Sequence, residues 1–251
     1  MKKLLALLLA LAMVFSLAAC ASKKDDDDDD DEDEKTEESA KPTEDEDDED
    51  EDVVVETKFD YKVFLQAMND FIEAPTMSKL CYFEGGTLAG DELYDFLKFF
   101  IGVIGASEDD YLANVTGQIP EGLTIEEKGA EELSASELDD VQSELDKTHE
   151  SLEKVEDYLE DLIENGSDEQ WASEAAGLNM TVDEAKEIMP EYLDLISALC
   201  DAVDGDVTEG FAVTIDRSNG TSDTYNVCCT KDGRWFTELL ITALSGLADI
   251  V

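Results

Sequence analysis

Side chains able to do chemistry are few in kind. The 251-residue chain holds five cysteines, one histidine and 66 Asp and Glu residues. Cys20 closes an apolar run, and Cys81, Cys200, Cys228 and Cys229 follow in the remainder. No Cys-x-x-Cys spacing occurs, so neither a zinc site nor a thioredoxin-type motif is suggested. Vicinal Cys228 and Cys229 would point to opposite faces of a strand and so would not pair with each other. His149 sits among acids beside an apolar helical seam, where solvation or a helix-face pair is the expected role. Neither Gly-x-Ser-x-Gly nor a phosphate loop occurs. Asp204-Gly205-Asp206 is no calcium loop, because the spaced acids before its glycine and the glutamate at position 12 are missing. Carboxylates are so abundant that no pair of them is informative. The expectation is a chain with no catalytic group, no metal site and no cofactor.

Cys20 is set apart by what precedes it. Met1-Lys2-Lys3 leads into an almost unbroken apolar run from Leu4 to Ala19. Positive start, apolar middle and small residues at the end make a secretory signal pattern. The run is shorter than the roughly 18–20 residues that a membrane-spanning helix needs. Leu17-Ala18-Ala19-Cys20 resembles the lipobox of bacterial lipoproteins. That resemblance implies cleavage between Ala19 and Cys20, a diacylglyceryl group on the Cys20 sulfur and an acyl chain such as palmitate on its new amine. It implies a protein lipid-anchored to the cell membrane, outside the cytoplasm, since two or three acyl chains hold stably where one is marginal.

Charge divides the remainder. From Asp25 to Asp52, 21 acids face only Lys35 and Lys41. Such a segment buries too little apolar surface to offset its chain entropy, and like charges extend it. Residues 20–52 therefore read as a disordered acidic tether, able to reach on the order of 100 Å when stretched. From Val53 onward, 45 acids and 11 bases leave a net charge of −34. Phosphates would be repelled, so nucleic acid is not an expected partner. A cationic or protein partner at the cell surface fits the sign, although high charge also serves solubility. Export permits disulfides among Cys81, Cys200, Cys228 and Cys229; one disulfide and buried free thiols are equally open readings.

Periodicity supplies the elements. Tyr61, Phe64, Leu65, Met68, Phe71 and Ile72 fall at helical spacing, with Asp60 as N-cap and Pro75 as the stop. A short apolar piece, Leu80–Phe83, runs into a turn at Gly85-Gly86. Asp91 then caps a helix whose wide apolar face carries Leu93, Phe96, Leu97, Phe100, Val103 and Ile104. Tyr111, Leu112 and Val115 suggest another short helix, and Leu123 with Ile125 a short strand. Leu138, Val141, Leu145, Thr148, Leu152, Val155, Leu159 and Leu162 recur at alternating steps of three and four, a heptad seam. Ser134 with Glu137 forms a capping box ahead of it. The seam packs on the domain's own next helix or serves as a dimerising or partner-binding arm. Capping boxes recur at Ser167/Gln170 and Thr181/Glu184, and Pro190 predicts a kink or restart in the last of these helices.

At the C-terminal end the period changes to two. Phe211, Val213 and Ile215 alternate, Asn219-Gly220 marks a hairpin, and Tyr225, Val227 and Cys229 form its return strand. Matching the two apolar faces puts Ile215 opposite Tyr225 and requires an odd-numbered loop or a bulge. A third strand runs from Arg234 to about Leu239, and Leu240, Ile241, Leu244 and Leu247 make a final helix or docked tail. Strand, polar hairpin, strand and then Lys231-Asp232-Gly233-Arg234-Trp235-Phe236 resembles the end of small bacterial lipoproteins with a cystatin-like or nuclear-transport-factor-like domain. The resemblance implies helices packed in the concave face of a curved antiparallel sheet, and supplies no catalytic motif. The expected fold is α+β: helices on a small antiparallel sheet of about three to five strands, with a long acidic helical hairpin. Residues 53–251 would be one domain, with its arm at about 134–203 and its meander at about 211–239. The expected role is non-catalytic binding, the alternative being an enzyme or small-ligand binder with a pocket on the concave sheet face. Trp235 reads as core.

Overall fold

A computed structural model describes residues 59–248, except 118 and 121. The signal segment, the Ala19–Cys20 junction, the acidic tether and the start of the domain at Val53 lie outside the described residues. Among the described residues, seven helices pack on one antiparallel sheet with strand order β1-β2-β3-β4, which does not close. In chain order they are α1 (Lys62–Glu73), α2 (Met77–Val103), α3 (Glu108–Thr116), β1 (Ile125–Glu132), α4 (Ala135–Asn165), α5 (Asp168–Leu178), α6 (Val182–Val203), β2 (Val207–Arg217), β3 (Ser222–Thr230), β4 (Trp235–Thr237) and α7 (Glu238–Ala248). The α+β class, the small sheet and the acidic helical hairpin are as expected.

Alternation along the strands sends apolar side chains to both faces of the sheet. Phe211, Val213, Ile215, Tyr225, Val227 and Trp235 face one way and pack with Phe64, Ala67 and Met68 of α1 and Phe83 of α2. Cys228 and Phe236 face the other way, into a larger core built by the second half of α2 with α4, α6 and α7. The sheet is thus a middle layer between α1 and a helical bundle.

The seam of α4 is used inside the molecule. Leu145, Leu152, Val155, Leu159 and Leu162 are buried, and α4 packs on α6 and α7. Its polar member, Thr148, is buried too, and its hydroxyl donates to the Glu144 carbonyl at 2.9 Å, the usual refuge of a helical threonine. All three capping boxes form. Pro190 does not restart its helix: α6 runs unbroken from Val182 to Val203. Ala185 and Met189 before Pro190 and Ile196 and Leu199 after it are all buried in the helical bundle, which outweighs the missing N–H.

Other expectations need correction. Asp60 is not the N-cap; Tyr61 is, while the Asp60 carboxylate accepts the Lys62 N–H at 3.1 Å. Leu80–Phe83 belongs to a full helical turn opened by Thr76, whose hydroxyl accepts the Lys79 N–H. That helix breaks at Gly86 (φ 58°, ψ −139°) and Ala89, so the second half begins before Asp91. β1 is longer than Leu123–Ile125 suggested and nearly all polar. It lies at the sheet edge, where its exposed acids discourage pairing with another chain. The third C-terminal strand is only Trp235–Thr237, and α7 starts at once with Glu238.

The hairpin is odd-numbered as expected, but its register differs. Arg217 N–H donates to the Thr221 carbonyl, leaving Ser218, Asn219 and Gly220 as a three-residue loop with Gly220 at φ 88°. Ile215 therefore faces Asp223, not Tyr225, and Val213 faces Tyr225. The faces still match, because the shift is an even number of residues.

Candidate functional site

The hairpin register brings three polar side chains together on the face that α1 covers. Arg217, Asp223 and Tyr225 share strand parity with Val213 and Ile215. Arg217 Nη2 donates to the Tyr225 hydroxyl at 2.9 Å, and Arg217 Nη1 lies 2.9 Å from Asp223 Oδ2. The second contact is an ion pair without a well-directed hydrogen bond, since Asp223 Oδ2 is buried with no hydrogen-bond partner. Burial pushes the Asp223 carboxyl up, against the opposing pull of the guanidinium. Burial likewise raises the Tyr225 phenol, with Arg217 acting against it.

Arg217 and Tyr225 line a cavity of about 100 Å³. Met68, Phe71 and Ile72 of α1, Phe83 of α2, and Ile119, Pro120, Leu123 and Ile125 supply its apolar walls. Arg217, Asn219 and Tyr225 are its polar pole. Arg217 is the only charged side chain among the described residues that line it, and none of them is a His, Cys, Asp or Glu. An outer cleft of about 610 Å³ shares the wall of Ile72, Ile119, Pro120 and Leu123, and adds Asn69, Glu73, Thr116 and Thr124. Sequence reading missed this site. Arg217 and Asp223 sit either side of an unremarkable hairpin, and only pairing shows that they meet.

A second feature that the sequence hid is a buried carboxyl. Glu84 is 2% exposed, and burial alone pushes it up to about 8. Its charge, when present, would be felt by the Cys81 thiol and the Tyr111 phenol, both also raised mainly by burial. Glu84 ends the first half of α2, where the broken helix frees its carbonyl to accept from Thr237 Oγ1 at 2.9 Å. Trp235 N–H donates to Thr87 Oγ1 at 3.0 Å beside it. The break in α2 thus covers β4, an edge strand of the sheet.

Of the residues singled out in sequence, the four described cysteines are free and buried, on α2 (Cys81), α6 (Cys200) and β3 (Cys228 and Cys229). Burial raises the last three thiols to about 11, 12 and 11, well away from the thiolate form that reacts at neutral pH. Cys20 and Ala19 lie outside the described residues. His149 is half-buried on α4 and lines neither cavity. Trp235 is buried, with Tyr82 edge-on against it. Among the described residues, no group of three or more His, Cys, Asp or Glu could hold a metal ion. No described helix is long and apolar enough to cross a membrane. No family model, curated protein or solved structure matches the chain.

Proposed function

We propose that this chain is a bacterial lipoprotein, anchored through Cys20 outside the cytoplasm, that acts as a non-catalytic binding module. Its recognition site is the cavity between α1 and the sheet. The observation that carries the reading is that cavity's composition: apolar walls with a few convergent polar groups at one pole, the usual make-up of a small-molecule site. The described lining offers one guanidinium, one phenol and one amide, which suits recognition better than proton transfer or nucleophilic attack. The Leu17-Ala18-Ala19-Cys20 motif supports the anchor, and the acidic run after it supports a tether. A partner-binding arm is the weaker reading, because α4 buries its seam residues against α6 and α7.

The test has two arms. Cys20→Ala should abolish labelling by a palmitate analogue, and globomycin should leave the label in place but accumulate a larger, membrane-held form that keeps residues 1–19. Absence of labelling in the unaltered chain would exclude the anchor. Separately, the full chain should bind apolar fragments of six to eight heavy atoms saturably, and Ile72→Trp, which fills the cavity, should abolish that binding. Binding that survives Ile72→Trp would place recognition elsewhere.

A further inference from the structure

We infer that the cavity selects a small, uncharged, apolar ring compound carrying one hydrogen-bond acceptor, such as a ketone, with Tyr225 as the donor that recognises it. The inference rests on the reading of this cavity as the recognition site.

Size comes first. A volume of about 100 Å³ is somewhat below that of an engineered apolar cavity of ~150 Å³ that takes benzene, so one six-membered ring is the expected scale. Charge comes next. A guanidinium at the end of an apolar cavity would ordinarily call for an anion, but Asp223 already stands 2.9 Å from Arg217 Nη1. An incoming carboxylate would have to displace Asp223 or leave an uncompensated negative charge in a poorly hydrated site, which is costly.

The hydroxyl of Tyr225 supplies the last element. Tyr225 is 5% exposed and lines the cavity. Its oxygen accepts from Arg217 Nη2 at 2.9 Å, and among the described residues nothing accepts the phenol's own proton. A buried donor left unused is unusual, because such groups are nearly always paired. The Arg217 hydrogen bond also withdraws charge from that oxygen and makes the phenol a better donor to a ligand. A ligand oxygen at the pole would satisfy it, while the ring packs on Phe71, Ile72, Phe83 and Leu123.

Three probes of similar shape separate these claims: cyclohexanone, methylenecyclohexane and cyclohexanecarboxylate. Their dissociation constants are measured on the full chain by titration of methyl NMR signals. Cyclohexanone should bind about three- to tenfold tighter than methylenecyclohexane, the worth of one net hydrogen bond. The carboxylate should bind at least about tenfold more weakly than the ketone. Tyr225→Phe should remove the preference for the ketone and leave methylenecyclohexane affinity unchanged. Equal affinity for ketone and alkene in the unaltered protein, with Ile72→Trp abolishing both, would overturn the assignment to Tyr225 while leaving the cavity as the site. Tightest binding by the carboxylate would overturn the claim of charge neutrality. Failure of all three probes to bind would overturn this inference together with the reading on which it rests.

Discussion

Replacing Glu84 by Gln keeps the side chain's size and removes its proton equilibrium, so it isolates what a buried carboxyl does to stability. In the unfolded chain Glu84 titrates near its ordinary 4.5, and in the folded protein burial pushes it up to about 8. Below 4.5 both states hold the proton, and Glu84 contributes no pH dependence. Between 4.5 and 8 the unfolded chain is ionised while the folded protein keeps its proton bound. Stability therefore falls with rising pH, by about 1.4 kcal/mol per unit. Above 8 both states are ionised and the loss levels off at about 5 kcal/mol. That loss is a large part of the 5–15 kcal/mol typical of a folded domain, or on the order of 10 °C in Tm. Urea unfolding followed by circular dichroism at pH 5, 7 and 9, at constant ionic strength, reads it directly. The variant and the parent should be nearly equal at pH 5, with E84Q more stable by about 3 kcal/mol at pH 7 and by up to about 5 kcal/mol at pH 9. Other carboxyls raised by burial, Asp223 and Glu238, affect both proteins alike and cancel in the difference. Parallel stability curves for the two proteins from pH 5 to 9 would refute the reasoning, since Glu84 would then have to meet water or a partner when ionised.

Gly86→Ala should cost more than about 3 kcal/mol in urea unfolding or prevent folding, because φ is 58° with ψ −139° and an added Cβ would lie 2.0 Å from the Trp235 carbonyl oxygen. Leu152→Ala should destabilise the chain by about 2–5 kcal/mol independently of protein concentration, since the seam is packed inside one molecule; loss of self-association with unchanged stability would make the seam intermolecular. Sodium chloride from 0.01 to 0.1 M, which shortens the screening length from about 30 to about 10 Å, should raise Tm by weakening repulsion within the acidic surface. Calcium at matched ionic strength should add little, and a saturable calcium-specific rise in Tm would reveal carboxylates converging on an ion.

Local signals were legible wherever one segment carries its own instruction. The capping boxes at Ser134/Glu137, Ser167/Gln170 and Thr181/Glu184 are written in four residues each, and all three form. The 3–4 spacing of α4 announced a buried stripe, and the switch to period two announced β2 and β3. Parity alone required an odd-numbered hairpin loop or a bulge, because a one-residue slip would turn one apolar face outward, and the loop is the route taken. The α+β class followed from these elements.

What the sequence could not decide were choices made by distant neighbours. β1 reads as a polar segment and becomes a strand only because the edge of β2 offers it hydrogen bonds. α6 continues through Pro190 because buried residues on both sides bind it to the bundle. Loop parity did not choose between pairing Ile215 with Tyr225 and with Asp223; the three-residue turn ending at Gly220 did. That choice set Arg217 between Asp223 and Tyr225 at the end of the cavity. Glu84 likewise looked like one acid among 66, and only the packing of α2 around the Gly86 break removed it from water. Periodicity and caps act within a few residues along the chain, whereas register, burial of a charge and the shape of a cavity depend on which remote surfaces meet.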